Sequence, residues 1–324
     1  MSKAKYTSIG GQALIEGIMM KGPEKTAMAV RRPDKEIEIK YLSSVPLSKK
    51  YKILGLPIIR GVVNFVQSMV EGYKALMQSA EISGFAEEEG EKPATGVMAA
   101  IMSIASVLAV ILSVFLFIYL PALIFDGVNF LAGGSITQLA SLFEGIIRLI
   151  ILVCYMLAVS KMPDIKRVFM YHGAEHKTIF CFEAKLPLTV ENARAQKRLH
   201  PRCGTSFLIL MILVSILVSS TLSLIFPALR ATRILWVAIK LLMIPLICGL
   251  GYELIKICGK YDNIVTRIIS APGMWLQKIT TVEPTDDMLE IAIAAMNAVL
   301  PEGEVIPVPA CCENNEAEAE NEYN

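Results

Sequence analysis

Residues 97–120, VMAAIMSIASVLAVILSVFLFIYL, run for 24 positions without a charged side chain. At 1.5 Å per residue, a helix of that length crosses the roughly 30 Å hydrocarbon layer of a bilayer. A chain that enters hydrocarbon must satisfy its own backbone hydrogen bonds, so this run restricts the fold to a helix bundle or a closed barrel, and its length selects the bundle. Residues 139–160, 206–229 and 233–258 read as three further spans. Glu144 and Arg148, four apart near one end of the second span, are expected to pair while their stems stay in the interface. Lys240 and Glu253 lie in the fourth, where ionisable groups are functional candidates. The chain is 54% apolar, above the range of soluble domains. The expected fold class is mainly α, a polytopic membrane protein with about four transmembrane helices, interfacial amphipathic helices and a small N-terminal β element.

The segments around the spans supply that detail. In residues 1–52, TAMAVRR and EIEIKYL alternate apolar and polar positions on either side of Pro33-Asp34-Lys35, which predicts a β-hairpin. Before it, IGGQALIEGIMMKG is punctuated by glycine around an isolated Glu16, either a contact to a site or a strand or turn residue. Within 53–96, residues 57–82 can form one helix, followed by an acidic linker. Arg60, Asn64, Gln67, Glu71, Lys74, Gln78 and Glu81 recur at four- and three-residue spacing, a polar stripe on an apolar cylinder. Such a helix lies in the interface with its stripe toward water, or packs with the stripe facing a polar cavity. Nine Lys or Arg fall in residues 161–205 and none in 126–143, so the positive-inside rule places the former, a His-rich loop, in the cytoplasm of a cell-membrane protein with both termini on the same side. A fifth span at 57–82 would reverse that loop, so this helix is expected to be interfacial or partly re-entrant. Residues 259–300 read as interfacial and amphipathic helices, with Trp275 at headgroup depth and Thr285 capping the last, and 301–324 as a disordered acidic tail. The N-terminus lacks the apolar core of a secretory signal, and the cysteines show no disulfide spacing.

All three histidines of the 324 residues, His172, His176 and His200, fall within 171–206. His172, Glu175 and His176 form H-x-x-E-H, which on a helix puts both imidazoles on one face a turn apart. His200-Pro201-Arg202-Cys203 adds two donor types, so the segment offers three or four ligands to a divalent metal, zinc above all. The other reading is a polar pocket in which the imidazoles only hydrogen-bond. The metal reading assigns His172, His176 and His200 as ligands, Cys203 or Glu253 as an alternative ligand, and Glu175 as a general base. Arg194, Lys197, Arg198 and Arg202 either set topology and attract anionic lipid, or hold a phosphate or carboxylate of a headgroup substrate. A net charge of +1 and no recognisable binding module argue against nucleic acid as a partner. Nothing in the pattern specifies an oligomeric state.

GGQALIEGIMMKG, YHGAEHK, HPRCGTSF and APGMWLQKITTVEP, in that order, together resemble the bacterial YqhQ family over roughly residues 6–300. That group is of unknown function, described at most as metal-dependent enzymes. The resemblance implies multi-pass membrane residence and metal dependence, and it supplies no substrate. The H-x-x-E-H order is also similar to that of inverzincin peptidases, in which the glutamate is the base and a downstream glutamate the third ligand. Here that implies Glu253, 77 residues beyond His176. Three functions stay open: a metal-dependent hydrolase at the cytoplasmic membrane face, a structural-metal scaffold or assembly factor, and a transporter.

Overall fold

The computed structural model describes residues 9–42, 47, 51–85, 95–201, 203–230, 232–261 and 263–301, the side chains of 95–103, 230 and 259 excepted. The acidic linker at 86–94, Arg202 and the tail at 302–324 lie outside the described residues.

Four strands, β1 (Gly10–Leu14), β2 (Gly17–Lys21), β3 (Thr26–Arg31) and β4 (Ile37–Leu42), form an antiparallel meander in chain order. The predicted hairpin is β3–β4, turning at Pro33-Asp34-Lys35 with Lys35 at φ 71° and Asp34 Oδ1 accepting from the Glu36 N–H at 3.1 Å. The glycine-rich stretch before it is a second hairpin. Its register pairs Leu14 with Gly17, and Glu16 occupies the turn at φ 50°. Side chains alternate across the sheet as the period of two requires. Ile18, Met20, Ala27 and Ala29 face one way, into a core with helix α10 (Asp286–Val299) and helix α5 (Pro163–Glu183). Leu14, Met19, Met28 and Val30 face the other, against Ala75 and Leu76 of helix α1 (Ile59–Ile82). The sheet is thus the middle layer of three, and each fully buried Ile or Met contributes roughly 1.5–3 kcal/mol.

Four helical stretches are long and apolar enough to cross a membrane: Ile104–Leu131, Thr137–Val159, Gly204–Ile225 and Arg233–Cys258. They are built from α2 (Thr95–Val114) running into α3 (Leu120–Leu131), then α4 (Ala140–Val159), α7 (Gly204–Ile225) and α8 (Arg233–Lys260). The first extends past its expected end at 120, because the helix accommodates Pro121 instead of stopping there. Proline has no N–H for the carbonyl four residues back, that of Phe117. The helix opens there into a π turn, Phe115–Tyr119, and continues beyond it. The freed Phe117 carbonyl accepts from Arg148 Nε at 2.6 Å, while Arg148 Nη1 donates to Ser215 Oγ at 2.7 Å. This corrects the expected Glu144–Arg148 pair. Glu144 instead meets Lys240 of α8, both are buried, and the Lys240 ammonium lies 5.3 Å from the centre of the Trp236 ring.

The polar stripe of α1 faces protein along its first half, while Lys74 and Glu81 are exposed. Arg60 donates to both carboxylate oxygens of Glu253 at 2.6 and 2.5 Å, Asn64 donates to Tyr252 Oη at 2.9 Å, and Glu71 accepts from Lys21 of β2 at 2.9 Å. A Cβ on Gly61 would lie 2.8 Å from Tyr252 Cβ and 3.0 Å from Gly249 Cα, so glycine is what lets α1 and α8 approach this closely. The segment expected as a His-rich loop is mostly helical, comprising α5 and the short α6 (Val190–Arg194). Helix α9 (Ile264–Thr280) follows the last span, with Trp275 66% exposed.

Candidate metal centre

Helix α5 starts with Pro163 in its first turn beside Asp164, a residue whose charge suits a helix N-terminus. It ends where Lys185 takes φ 56° and the Leu186 N–H returns to the Cys181 carbonyl at 3.2 Å. On it, His172 and His176 share one face, their ring centroids 4.4 Å apart. Each ring is oriented by a backbone carbonyl: His172 Nδ1 donates to Thr280 O at 2.8 Å and His176 Nδ1 to Arg198 O at 2.5 Å. A carbonyl only accepts, so both Nδ1 atoms carry a proton, and the neutral form of either ring has its lone pair on Nε2. His172 Nε2 is 3.0 Å from Cys203 Sγ. His176 Nε2 is buried without a hydrogen-bond partner, and desolvation holds the His176 pKa below its usual value, favouring the neutral ring. One ligand atom each from His172, His176 and Cys203 lie within 4.8 Å of one another.

Cys203 is the N-cap residue of α7, and its thiol accepts from the Thr205 N–H at 3.5 Å and hydroxyl at 3.4 Å. Gln277 of α9, fully buried, fixes the chain leading to it. Its Oε1 accepts from His200 N at 2.8 Å, and its Nε2 donates to His200 O at 2.7 Å and Ser206 Oγ at 3.0 Å. Thr280 and Gln277, both in APGMWLQKITTVEP, orient this cluster through hydrogen bonds that no sequence pattern signals.

His200 stands beside His176 at a ring separation of 5.6 Å, with Nε2 3.7 Å from a Glu183 carboxylate oxygen, outside the group of three. Glu175 points to the sheet. It is buried, its carboxylate accepts from the Gly11 N–H, and desolvation raises its pKa while the neighbouring His172 lowers it. A Cβ on Gly11 would lie 2.8 Å from Glu175 Cγ, so any larger residue there would force the Glu175 side chain to move. Glu253 is held by Arg60 and is not brought to the histidines. Glu16 receives two hydrogen bonds from Arg167, both at 2.5 Å, and one from Tyr171 Oη at 3.2 Å, which ties the β1–β2 turn to α5 one turn before His172.

The basic rim is partly neutralised. Arg194 Nε donates to Asp286 at 2.9 Å, Arg198 lies 3.8 Å from Glu283, and Lys197 is exposed. Buried Lys177 donates to Arg194 O at 2.7 Å and pairs with Glu283 at 2.5 Å.

Two comparisons with known proteins bear on the whole chain. A family model described as "Protein of unknown function (DUF1385)" matches residues 56–302. The uncharacterized protein YqhQ of Bacillus subtilis (strain 168) is 34% identical over 311 residues, covering 93% of this chain and 95% of its own. No solved structure matches. With the four apolar helices, the small sheet and the four motifs in their order, the chain belongs to the DUF1385 family, the family of YqhQ.

Proposed function

We propose that the protein is a membrane-embedded metalloprotein whose His172, His176 and Cys203 hold one divalent transition metal, zinc in the first place, for a hydrolytic reaction at the cytoplasmic membrane face. The observation that carries this reading is the pair of Nδ1–H bonds to the Thr280 and Arg198 carbonyls. They leave both Nε2 lone pairs available, and one of these faces a thiol at 3.0 Å. Backbone acceptors behind metal-ligating histidines are the usual way such rings are oriented and their basicity raised. The donor set fits: two imidazoles and a thiol suit zinc, and ideal tetrahedral geometry separates such N and S donors by about 3.5 Å. A divalent ion held there would act as a Lewis acid on an ester or phosphoryl oxygen.

Among the described residues three donors converge, which favours a catalytic over a purely structural centre, because structural zinc sites are usually closed by four protein ligands. His172 and His176 bind, Cys203 supplies negative charge, and the Gln277 clamp keeps the Cys203 turn in place. Glu175, turned to the Gly11 N–H yet electrostatically coupled to His172, is the proton-handling group in this reading. Its place as a support behind a ring is already taken, since both Nδ1 atoms are satisfied by carbonyls. Exposed Lys197 supports an anionic headgroup as part of the substrate, whereas such a group would have to displace Asp286 from Arg194 and Glu283 from Arg198.

Elemental analysis after chelator-free purification tests the centre. About one divalent ion per chain is expected in the wild type, and close to none in His172→Ala combined with Cys203→Ser. Equal content in the two proteins, or no metal in the wild type, overturns the reading.

A further inference from the structure

The contacts of α1 fix its depth relative to the spans. Helix α7 has 22 residues, about 33 Å, close to one hydrocarbon thickness, so its Gly204 end marks a boundary of the layer. Three residues in, the Phe207 ring packs on Phe65 of α1 at 5.3 Å. Phe207 and Met211 also flank Gly251 of α8, at 3.3 and 3.1 Å from where its Cβ would stand. Gly251 therefore lies about 5–10 Å inside the boundary. Gly249 is deeper still, and Ile58 and Gly61 pack directly on it. The start of α1 is thus about 10 Å within the layer.

The chain also comes back. The Leu47 N–H donates to Gln67 Oε1 at 3.0 Å, and Gln67 is nine residues along α1 from Ile58, so Leu47 and Gln67 stand level on either side of a tip within residues 51–59. The tip of this hairpin, residues 53–59, reads ILGLPII and has no charge. Ile53 is 72% exposed and Leu56 51%. Lys52 is on the descending limb, where its four-carbon stem can carry the ammonium back toward the headgroups. From the tip, Ile59, Val66, Val70, Tyr73 and Met77 continue as one outward stripe, each between 40% and 55% exposed. Ile58 at the tip packs on Gly249 of α8, and Leu242, two turns deeper on the same face of that helix, is 72% exposed, so the tip borders a surface that a span presents outward. On the polar side of α1, Arg60, Asn64 and Glu71 are committed to Glu253, Tyr252 and Lys21.

We propose that residues 51–77 are a re-entrant membrane element, with the tip at 53–59 seated in the hydrocarbon of the leaflet beside the sheet and the outward stripe of α1 covered by lipid. Lipid is the occupant because the tip borders the outward surface of a span and the stripe begins at a depth where water is absent. The candidate metal site at the Gly204 end of α7 is thereby held at the membrane surface.

Nitroxide labels at Leu56, Tyr73 and Lys35, placed singly in full-length protein whose accessible native thiols are replaced, test this in phosphatidylcholine–phosphatidylglycerol vesicles. Collision with oxygen, which partitions into lipid, is compared with collision by a water-soluble nickel complex. The oxygen-to-nickel ratio is expected to be several-fold higher at Leu56 than at Lys35 in the β3–β4 turn, with Tyr73 between. A Leu56 label reached by nickel as readily as the Lys35 label overturns the proposal. So does spin–spin broadening at Leu56 that disappears on dilution with unlabelled protein, which would put a second copy on this face. As a control on labelling, Ile53→Trp in a Trp236→Phe, Trp275→Phe background must be quenched by lipids brominated on the acyl chain, and absence of quenching counts against insertion.

Discussion

Glu175 separates an enzyme from a metal scaffold, and its surroundings sharpen the test. Its carboxylate faces the Gly11 N–H and the rings on either side are anchored by carbonyls, so Glu175→Gln keeps size and hydrogen-bonding capacity without touching a ligand. The expected result is metal content and melting temperature near wild type, together with the cellular phenotype of a deletion. A variant that keeps its metal and fully complements a deletion would leave a structural metal protein as the better account. The histidine spacing was legible because residues four apart on a helix must share a face. Cys203 was legible as a donor type. The carbonyls of Thr280 and Arg198 were not, because a main-chain acceptor carries no side-chain signature and both come from segments distant from α5. Gln277 left a trace only as part of a motif, with no pattern to say that it grips the main chain of His200.

At the scale of elements, the spans were readable from uncharged length, but their polar contacts were not. Counting along one helix sees only neighbours three and four apart, and so it paired Glu144 with Arg148. Tertiary packing brought Lys240 from α8 and Ser215 from α7 instead, and Pro121 supplied a carbonyl for the arginine. Breaking a buried ion pair by removing one partner costs about 3–5 kcal/mol, because the other charge is stranded. Lys240→Met is therefore expected to lower the unfolding temperature in detergent sharply, and adding Glu144→Leu to restore most of the loss. Equal losses in the single and double variants would show that the stranded carboxylate is not the cause. In the same way, the stripe on α1 was visible as spacing, yet which way it faced depended on Glu253 and Tyr252, nearly two hundred residues away in the chain.

For the whole molecule, the contrast between nine cations in 161–205 and none in 126–143 sets the expected orientation. A cysteine replacing Lys185, in protein whose exposed native thiols are removed, should resist an impermeant maleimide in intact cells and react fully once the membrane is opened. Reaction in intact cells would invert the topology. The three-layer head was only half visible beforehand, since alternation in residues 26–42 announces a sheet but not what covers it. Its cover has a consequence for biosynthesis. The sheet face bearing Ile18, Met20, Ala27 and Ala29 is closed by Met288, Leu289, Ala292 and Met296, residues translated more than 250 codons later. At 5–20 residues per second that is roughly a quarter of a minute to a minute. The membrane helices are made within that interval, so the head is the last part of the protein to close, around a nascent sheet already tethered at the bilayer.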